Sequence, residues 1–492
     1  MSQTKRDAAL ARSNRHEWAH EAEVFPALMR YNLAHVLMLA GRGVIPPAPG
    51  RRLLRALSAL RRAGLASLRY EPALDGLQPN IEAHLARRIG PEAAGWLATG
   101  RARQECEFVA RQMLVRDRLL GVIGRTLSLR AALEALASRS IEHTMPYHTW
   151  GQQAEPVTFG YYLAAVAEAL AEDGTRLRAA YRSINRSRAS CGQVAPPPLP
   201  VDRRQVGRWL GFRGAMDNSL YAYSSLDAEL EVLAALSTLG ANLARFAENV
   251  FVWCSVEFGF MAFGEAFSGT SYAMPQKKNP YALRQLRPVA ARLAAAWSEV
   301  MALHAGGLPL VGNGLIHAPN RLLDCIGPLE DALALLARAL PTLRVDAVAM
   351  RAACADHWVQ APQLVFYLVR AHAVSFRQAH EVVRAVVQEA LRRGIKPSAV
   401  DARMLEVAAL GVTGRRLRIA RRNLEQALEP ELAVATRSAG GPAPRAVRRH
   451  LALLGARRRA DANWQAEEVR RLQRADAALE QALRARSGTD RR

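Results

Sequence analysis

From Arg103 to Ser140 the chain contains no proline and only two glycines, Gly121 and Gly124. In a helix interior glycine costs about 1 kcal/mol and proline about 3 kcal/mol, so a stretch this clear of both predicts one long helix over 103–140. At about 1.5 Å per residue such a helix runs for about 55 Å. Ala, Leu, Arg and Glu dominate the rest of the chain, and the β-branched alternation of strands is scarce. Further helices are predicted over 51–66, from Pro156 to about Ser187 with the proline in the first turn, over 226–260, and over 281–305 behind Pro280. Three segments rich in glycine and proline interrupt them: Cys191–Pro200, Gly306–Gly314 and Ser438–Pro444. Long helices joined by short breaks imply an extended helical bundle.

At 492 residues, half of them apolar, the chain is long enough for several domains or one large oligomerising helical body. Its net charge of +23 suggests a polyanion partner, but only four lysines are present (Lys5, Lys277, Lys278, Lys396). The other cations are arginines scattered along an Ala/Leu/Arg-rich chain, the pattern of solvated helix faces and not of a nucleic-acid stripe. One cluster stands out after Ala443, where Arg445, Arg448, Arg449, Arg457, Arg458 and Arg459 gather. It reads as a solvated helix, with attraction to an acidic surface as the alternative. Five cysteines, odd in number and widely spaced, carry no metal-ligand spacing and read as reduced thiols. No uncharged run of about 20 apolar residues occurs, and Met1–Arg6 has no apolar core, so a cytoplasmic protein without a membrane span is expected.

The chemistry concentrates in Ser268-Gly269-Thr270-Ser271-Tyr272-Ala273-Met274-Pro275-Gln276-Lys277-Lys278-Asn279-Pro280. Small residues and a hydroxyl lead into a paired-lysine anion site. This segment resembles the G-S-S-x-M-P-x-K-x-N loop of the fumarase/aspartase superfamily, and most of all its argininosuccinate lyase branch, M-P-Q-K-K-N-P. The resemblance extends in order along the chain: Tyr31 to Ile45, Asn80-Ile81-Glu82, Thr99 to Glu105, Met145 to Gly160, Leu210-Gly211-Phe212, Asn218-Ser219-Leu220, Glu257-Phe258-Gly259 and Ser438 to Pro444. It implies an all-α, three-domain fold: residues 1–102, a central long-helix bundle over 103–355 with the loop 268–280, and 356–492 with the basic tail. It also implies a homotetramer whose active sites are shared between chains, and a cofactor-free elimination that releases fumarate from a small N-succinyl substrate.

Eliminating an amine across a succinyl unit needs a base for a weakly acidic C–H, donors for the carboxylate that gathers charge, and an acid for the leaving nitrogen. By the resemblance Ser271 is the base, activated by Lys277 and by backbone N–H groups. Lys277 and Asn279 match carboxylate-binding residues, and Lys278 reads as a neighbouring structural charge. Thr149 matches a carboxylate-binding threonine, Gln152 a nearby amide, and Arg103 the arginine of S-R-N, with Gln104 in place of its asparagine. Asn313 and His317 fall where the family lines its leaving-group pocket with Y-N-R-D-L-Q; the tyrosine there is Gly312 and the glutamine is His317.

Other positions depart. The family's active-site histidine is Trp150, and the glutamate paired with it is Arg284. Neither tryptophan nor arginine stores a proton at neutral pH. The histidine of H-x-N-I-E is Gln78, and the aspartate of N-S-L-D is Tyr221. His148, one residue from Trp150, reads as a spare histidine, with a site role as the alternative. The residues leave three readings open: a carbon–nitrogen lyase acting on argininosuccinate or a related compound, a catalytically impaired structural or regulatory homologue, and a different elimination on a succinyl substrate.

Overall fold

The computed structural model describes residues 19–74, 76–192, 195–306 and 314–487. Three helices, α1 (Glu21–Gly41), α2 (Pro47–Ala63) and α3 (Leu77–Ile89), lead into α4, Arg103–Arg139, the long helix that the sequence predicts. A hairpin of β1 (Thr144–Thr149) and β2 (Gln152–Thr158) follows, then α5 (Phe159–Ile184), the short α6 (Ser219–Ser224) and α7 (Asp227–Trp253). Two-residue strands β3 (Gly269–Thr270) and β4 (Lys278–Asn279) precede α8 (Leu286–His304) and α9 (Gly314–Ala339). Helices α4, α5, α7, α8 and α9 pack along one another and share one apolar core with α1 and α2. The architecture is all-α, with four two-stranded pairings as its only sheets among the described residues.

Buried polar side chains lock this bundle. Arg188, behind α5, donates two hydrogen bonds of 2.8 Å to Glu229 of α7 and one of 3.0 Å to the Ser225 carbonyl, and both ionic side chains are fully buried. Arg111 of α4 reaches Glu107 at 2.7 Å and Asn320 of α9 at 2.9 Å. Glu105 accepts from the Tyr31 hydroxyl and from the backbone N–H groups of Ser190 (2.7 Å) and Gly192 (2.9 Å), which ties the loop after α5 to α1 and α4. A carboxylate that accepts several such bonds satisfies polar groups that would be costly to bury unpaired.

Three expectations need correction. Pro156 does not open a helix; it lies in β2 opposite Pro146, and α5 begins at Phe159 with Thr158 as its cap, the hydroxyl accepting from Tyr161 N–H at 3.1 Å. The hairpin exists because Trp150 and Gly151 both adopt left-handed φ angles, 54° and 74°, as a tight two-residue turn requires. Gly160 then lets α5 start against the end of α4, since a Cβ there would sit 2.7 Å from the Ala137 carbonyl oxygen. The helix expected over 281–305 is a 3₁₀ turn, Tyr281–Leu283, followed by α8, and that over 226–260 stops at Trp253. Helix α7 is long and apolar enough to cross a membrane by length and composition; here α5 and α8 cover its apolar side.

Helices α10 (Ala361–His372), α11 (Phe376–Arg392), α12 (Ala402–Thr413) and α13 (Arg421–Leu428) enclose a second, smaller apolar core around Leu364, Val382 and Leu424. The chain then returns. Helix α14, Pro444–Ser487, lies along α4, α5, α1 and α2. Its buried Asp461 pairs with Arg130 (2.6 Å) and Arg178 (2.8 Å). Arg448, Arg457 and Arg458 reach Glu142 (2.9 Å), Glu172 (2.6 Å) and Glu134 (2.8 Å). Much of the basic cluster is thus spent on holding this helix to the bundle.

Candidate active site

Strands β3 and β4 pair antiparallel, Gly269 with Asn279 and Thr270 with Lys278, and hold residues 271–277 as an exposed loop. Only glycine fits at 269, where a Cβ would lie 2.0 Å from the Tyr281 ring. Ser271 is half-buried, and its Oγ accepts from the Met274 N–H at 3.2 Å. A backbone N–H directed at this oxygen favours negative charge on it, as base chemistry requires. Lys278 pairs with Glu265 at 2.6 Å, whereas Lys277 has no carboxylate partner among the described residues. The lysine that the resemblance assigns to substrate is thus the one without a carboxylate partner among the described residues, and Lys278 is the one engaged by Glu265. Asn279 Nδ2 is 3.5 Å from the Gly269 carbonyl, a weak bond that leaves its amide available.

Thr149 and Gln152 face each other across the β1–β2 turn and are both exposed. Trp150 at the turn apex is fully exposed. His148 points away from Thr149, as neighbours on a strand do. Its ring packs edge-on against Phe258 at 5.4 Å, and burial pushes its pKa down. Packing is therefore the role the structure gives His148. Arg284 lies with its guanidinium 5.7 Å from the Tyr281 ring centroid.

A third group surrounds the start of α4. Arg103 is its first residue, and Gln104 Oε1 accepts from the Tyr223 hydroxyl at 2.6 Å. Tyr223 is placed by α6, which Asn218 caps by accepting from Tyr221 N–H at 2.9 Å. Tyr221 donates to Asp227 Oδ2 at 2.8 Å, and His304 Nε2 lies 3.3 Å from Asp227 Oδ1. Burial lifts the adjacent Glu105 carboxyl to about 7, against the pull of Tyr31, Arg101 and the two N–H groups. Gln78 is fully buried, bonded to Asn32 (3.0 Å) and Glu82 (3.1 Å), so the family's histidine position is core here. His317 is half-buried in the first turn of α9; Asn313 lies outside the described residues.

The structure thus joins Ser271, Lys277 and Asn279 in one loop, Thr149 and Gln152 in one turn, and Gln104 with Tyr223 beside Arg103. Among the described residues no hydrogen bond or ion pair connects the three groups within a chain. Sequence reasoning did not anticipate the contacts of Tyr223 with Gln104 and of His304 with Asp227. The N-S-L motif pointed to their neighbourhood, but their partners are remote in sequence.

A family model described as lyase matches residues 38–295, and an argininosuccinate lyase C-terminal model matches 358–435. The first match spans the hairpin, the start of α4 and the serine loop; Asn313 and His317 lie outside both. Argininosuccinate lyase 1 of Shouchella clausii is 32% identical over 426 residues, covering 86% of each chain. The argininosuccinate lyase of Methanothermobacter thermautotrophicus is 30% identical, covering 86% of this chain and 91% of its own. Among solved structures, an EDDS lyase in complex with formate superposes with a TM-score of 0.87 at 27% identity, over 95% of this chain and 93% of that one. A 3-carboxy-cis,cis-muconate lactonizing enzyme from Pseudomonas putida shares the fold, with a TM-score of 0.70 at 18% identity over 92% and 99%.

Proposed function

The chain belongs to the argininosuccinate lyase family of the fumarase/aspartase superfamily and is a carbon–nitrogen lyase, and on that basis we propose that it cleaves argininosuccinate or a related N-succinyl compound into fumarate and a free amine or guanidine. Ser271 Oγ takes the proton from the carbon beside a substrate carboxylate. The electron pair moves into that carboxylate, where Lys277 and Asn279 stabilise the added charge. It then returns to form the C=C bond as the C–N bond breaks, and the nitrogen leaves with its electron pair and takes up a proton. Thr149 and Gln152 hold the second carboxylate, while Arg103, Gln104 and His317 face the leaving group, a set to which the resemblance adds Asn313.

The observation that carries this reading is the division of labour in the loop: Ser271 accepts a backbone N–H, Lys277 has no carboxylate partner among the described residues, and Lys278 is paired with Glu265. The three groups need one another, and they meet in a homotetramer in which each site draws on several chains. The full exposure of Trp150 and Tyr272 in one chain supports that assembly. Five unpaired cysteines suit a reducing, cytoplasmic setting.

The test is ultraviolet detection of fumarate from the purified protein given argininosuccinate, with Ser271→Ala as control. Turnover lost in the variant supports the reading; turnover retained in Ser271→Ala sinks it. Trp150 and Arg284 favour a second reading, in which the same elimination acts on a different amine. A pocket built around one leaving group rejects another strongly. Fumarate from other N-succinyl compounds, EDDS among them, but not from argininosuccinate would establish that version.

A further inference from the structure

A cleft of about 660 Å³ opens between α5, the turn 438–441 and the first turns of α14, and no residue assigned to the elimination lines it. Arg445 and Arg449 project into it one helical turn apart. Their neighbours Arg448, Arg457 and Arg458 each hold a carboxylate, yet neither Arg445 nor Arg449 has an acidic partner among the described residues. The one acid on the wall, Glu168, is engaged by His450 at 3.4 Å. Tyr161 donates to the Gly440 carbonyl at 3.2 Å and fixes the turn as one wall. Ala165, Val447 and Leu453 give the cleft an apolar side.

We propose that this cleft binds a phosphate monoester carried on an apolar body, at a site separate from the elimination. Two unpaired guanidiniums a turn apart present forks of N–H donors to a dianion with three free oxygens. The start of α14 adds the positive end of a 44-residue helix, which favours the same charge. The apolar wall then covers the organic part of the ligand. Because the helix that carries both arginines is already packed into the bundle through its other face, the site exists without any rearrangement.

The experiment is calorimetric titration of the full chain with phenyl phosphate, with inorganic phosphate and benzoate alongside. We expect saturable, salt-sensitive binding of phenyl phosphate, tighter than either comparator. Arg445→Ala and Arg449→Ala should each weaken it about tenfold, the loss of one charge-assisted contact. Arg448→Ala, on the same helix but paired to Glu142, should leave it unchanged. No saturable binding at millimolar concentration overturns the proposal. So does benzoate binding as tightly, binding that survives both cleft substitutions, or an equal loss in Arg448→Ala. Both cleft arginines are exposed, so the variants should melt with the parent, and that melt is recorded in the same buffer.

Discussion

Arg188→Met isolates what the buried ion pair does for the bundle. Arg188 and Glu229 are fully buried and joined by two bonds of 2.8 Å, with a third from Arg188 to the Ser225 carbonyl. Methionine fills much of the arginine stem's volume, so the cavity left is small. What remains is a carboxylate in the core without its cation. Stranding one partner of a buried pair costs about 3–5 kcal/mol, and the orphaned carbonyl lies within that range because the two losses share one site. For a chain of 492 residues an unfolding entropy near 2 cal/mol/K per residue turns about 4 kcal/mol into a fall of about 4 °C in Tm. The assay is thermal unfolding by circular dichroism at fixed protein concentration, on Arg188→Met, Glu229→Leu and the double variant. The double variant should be less damaged than the sum of the singles, since an apolar pair strands no charge. A shift below about 1 °C in Arg188→Met, or strict additivity across the cycle, would refute the reasoning.

Lys277→Ala should cut fumarate release more than about a hundredfold, because it removes a cation from the developing carboxylate charge. Lys278→Ala, which loses only an exposed pair with Glu265, should keep activity within a few-fold; equal losses would show that the two lysines are not divided as the loop geometry implies. Gly269→Ala drives a Cβ into the Tyr281 ring and displaces the serine loop, so kcat should fall about a hundredfold while the melting temperature barely moves. Glu105 titrates at about 7 in the fold against 4.5 for an ordinary carboxyl. The native state therefore holds this proton more tightly than the unfolded chain does. The resulting stability is fully present below about pH 4.5 and is lost as pH rises through about 7, to the extent of about 3 kcal/mol. Glu105→Gln should flatten the fall in stability between pH 5 and 8; Glu21, which burial also lifts to about 7, acts in the same direction, and His35, whose pKa burial pushes down, acts in the opposite one. An unchanged slope would remove Glu105 from the account.

The long helix over 103–139 was legible because helix-breaking residues are nearly absent there, a local property that any chain displays in its composition. The serine loop was legible for a related reason. Its small residues, its hydroxyl and its cations are contiguous, so a resemblance over 13 residues is enough to propose Ser271 as a base and Lys277 and Asn279 as anion holders. Other features belong to the tertiary structure. Pro156 looked like a helix opening until β1 arrived to pair with it, and the left-handed Trp150 that turns the hairpin has no local signature, since an aromatic residue there is unfavourable on its own. Which lysine is free depends on Glu265, 12 residues before Lys277 and 13 before Lys278. The contact of Tyr223 with Gln104 spans 119 residues, and the return of α14 to α4 depends on a buried Asp461–Arg130 pair 331 residues apart. Backbone preference is decided among neighbours, so sequence alone determined the long helix over 103–139 and the gathering of a hydroxyl and two cations in one loop. Which charges are paired, buried or left free is decided by chain segments that meet only in the folded protein, and that is what separates Lys277 from Lys278.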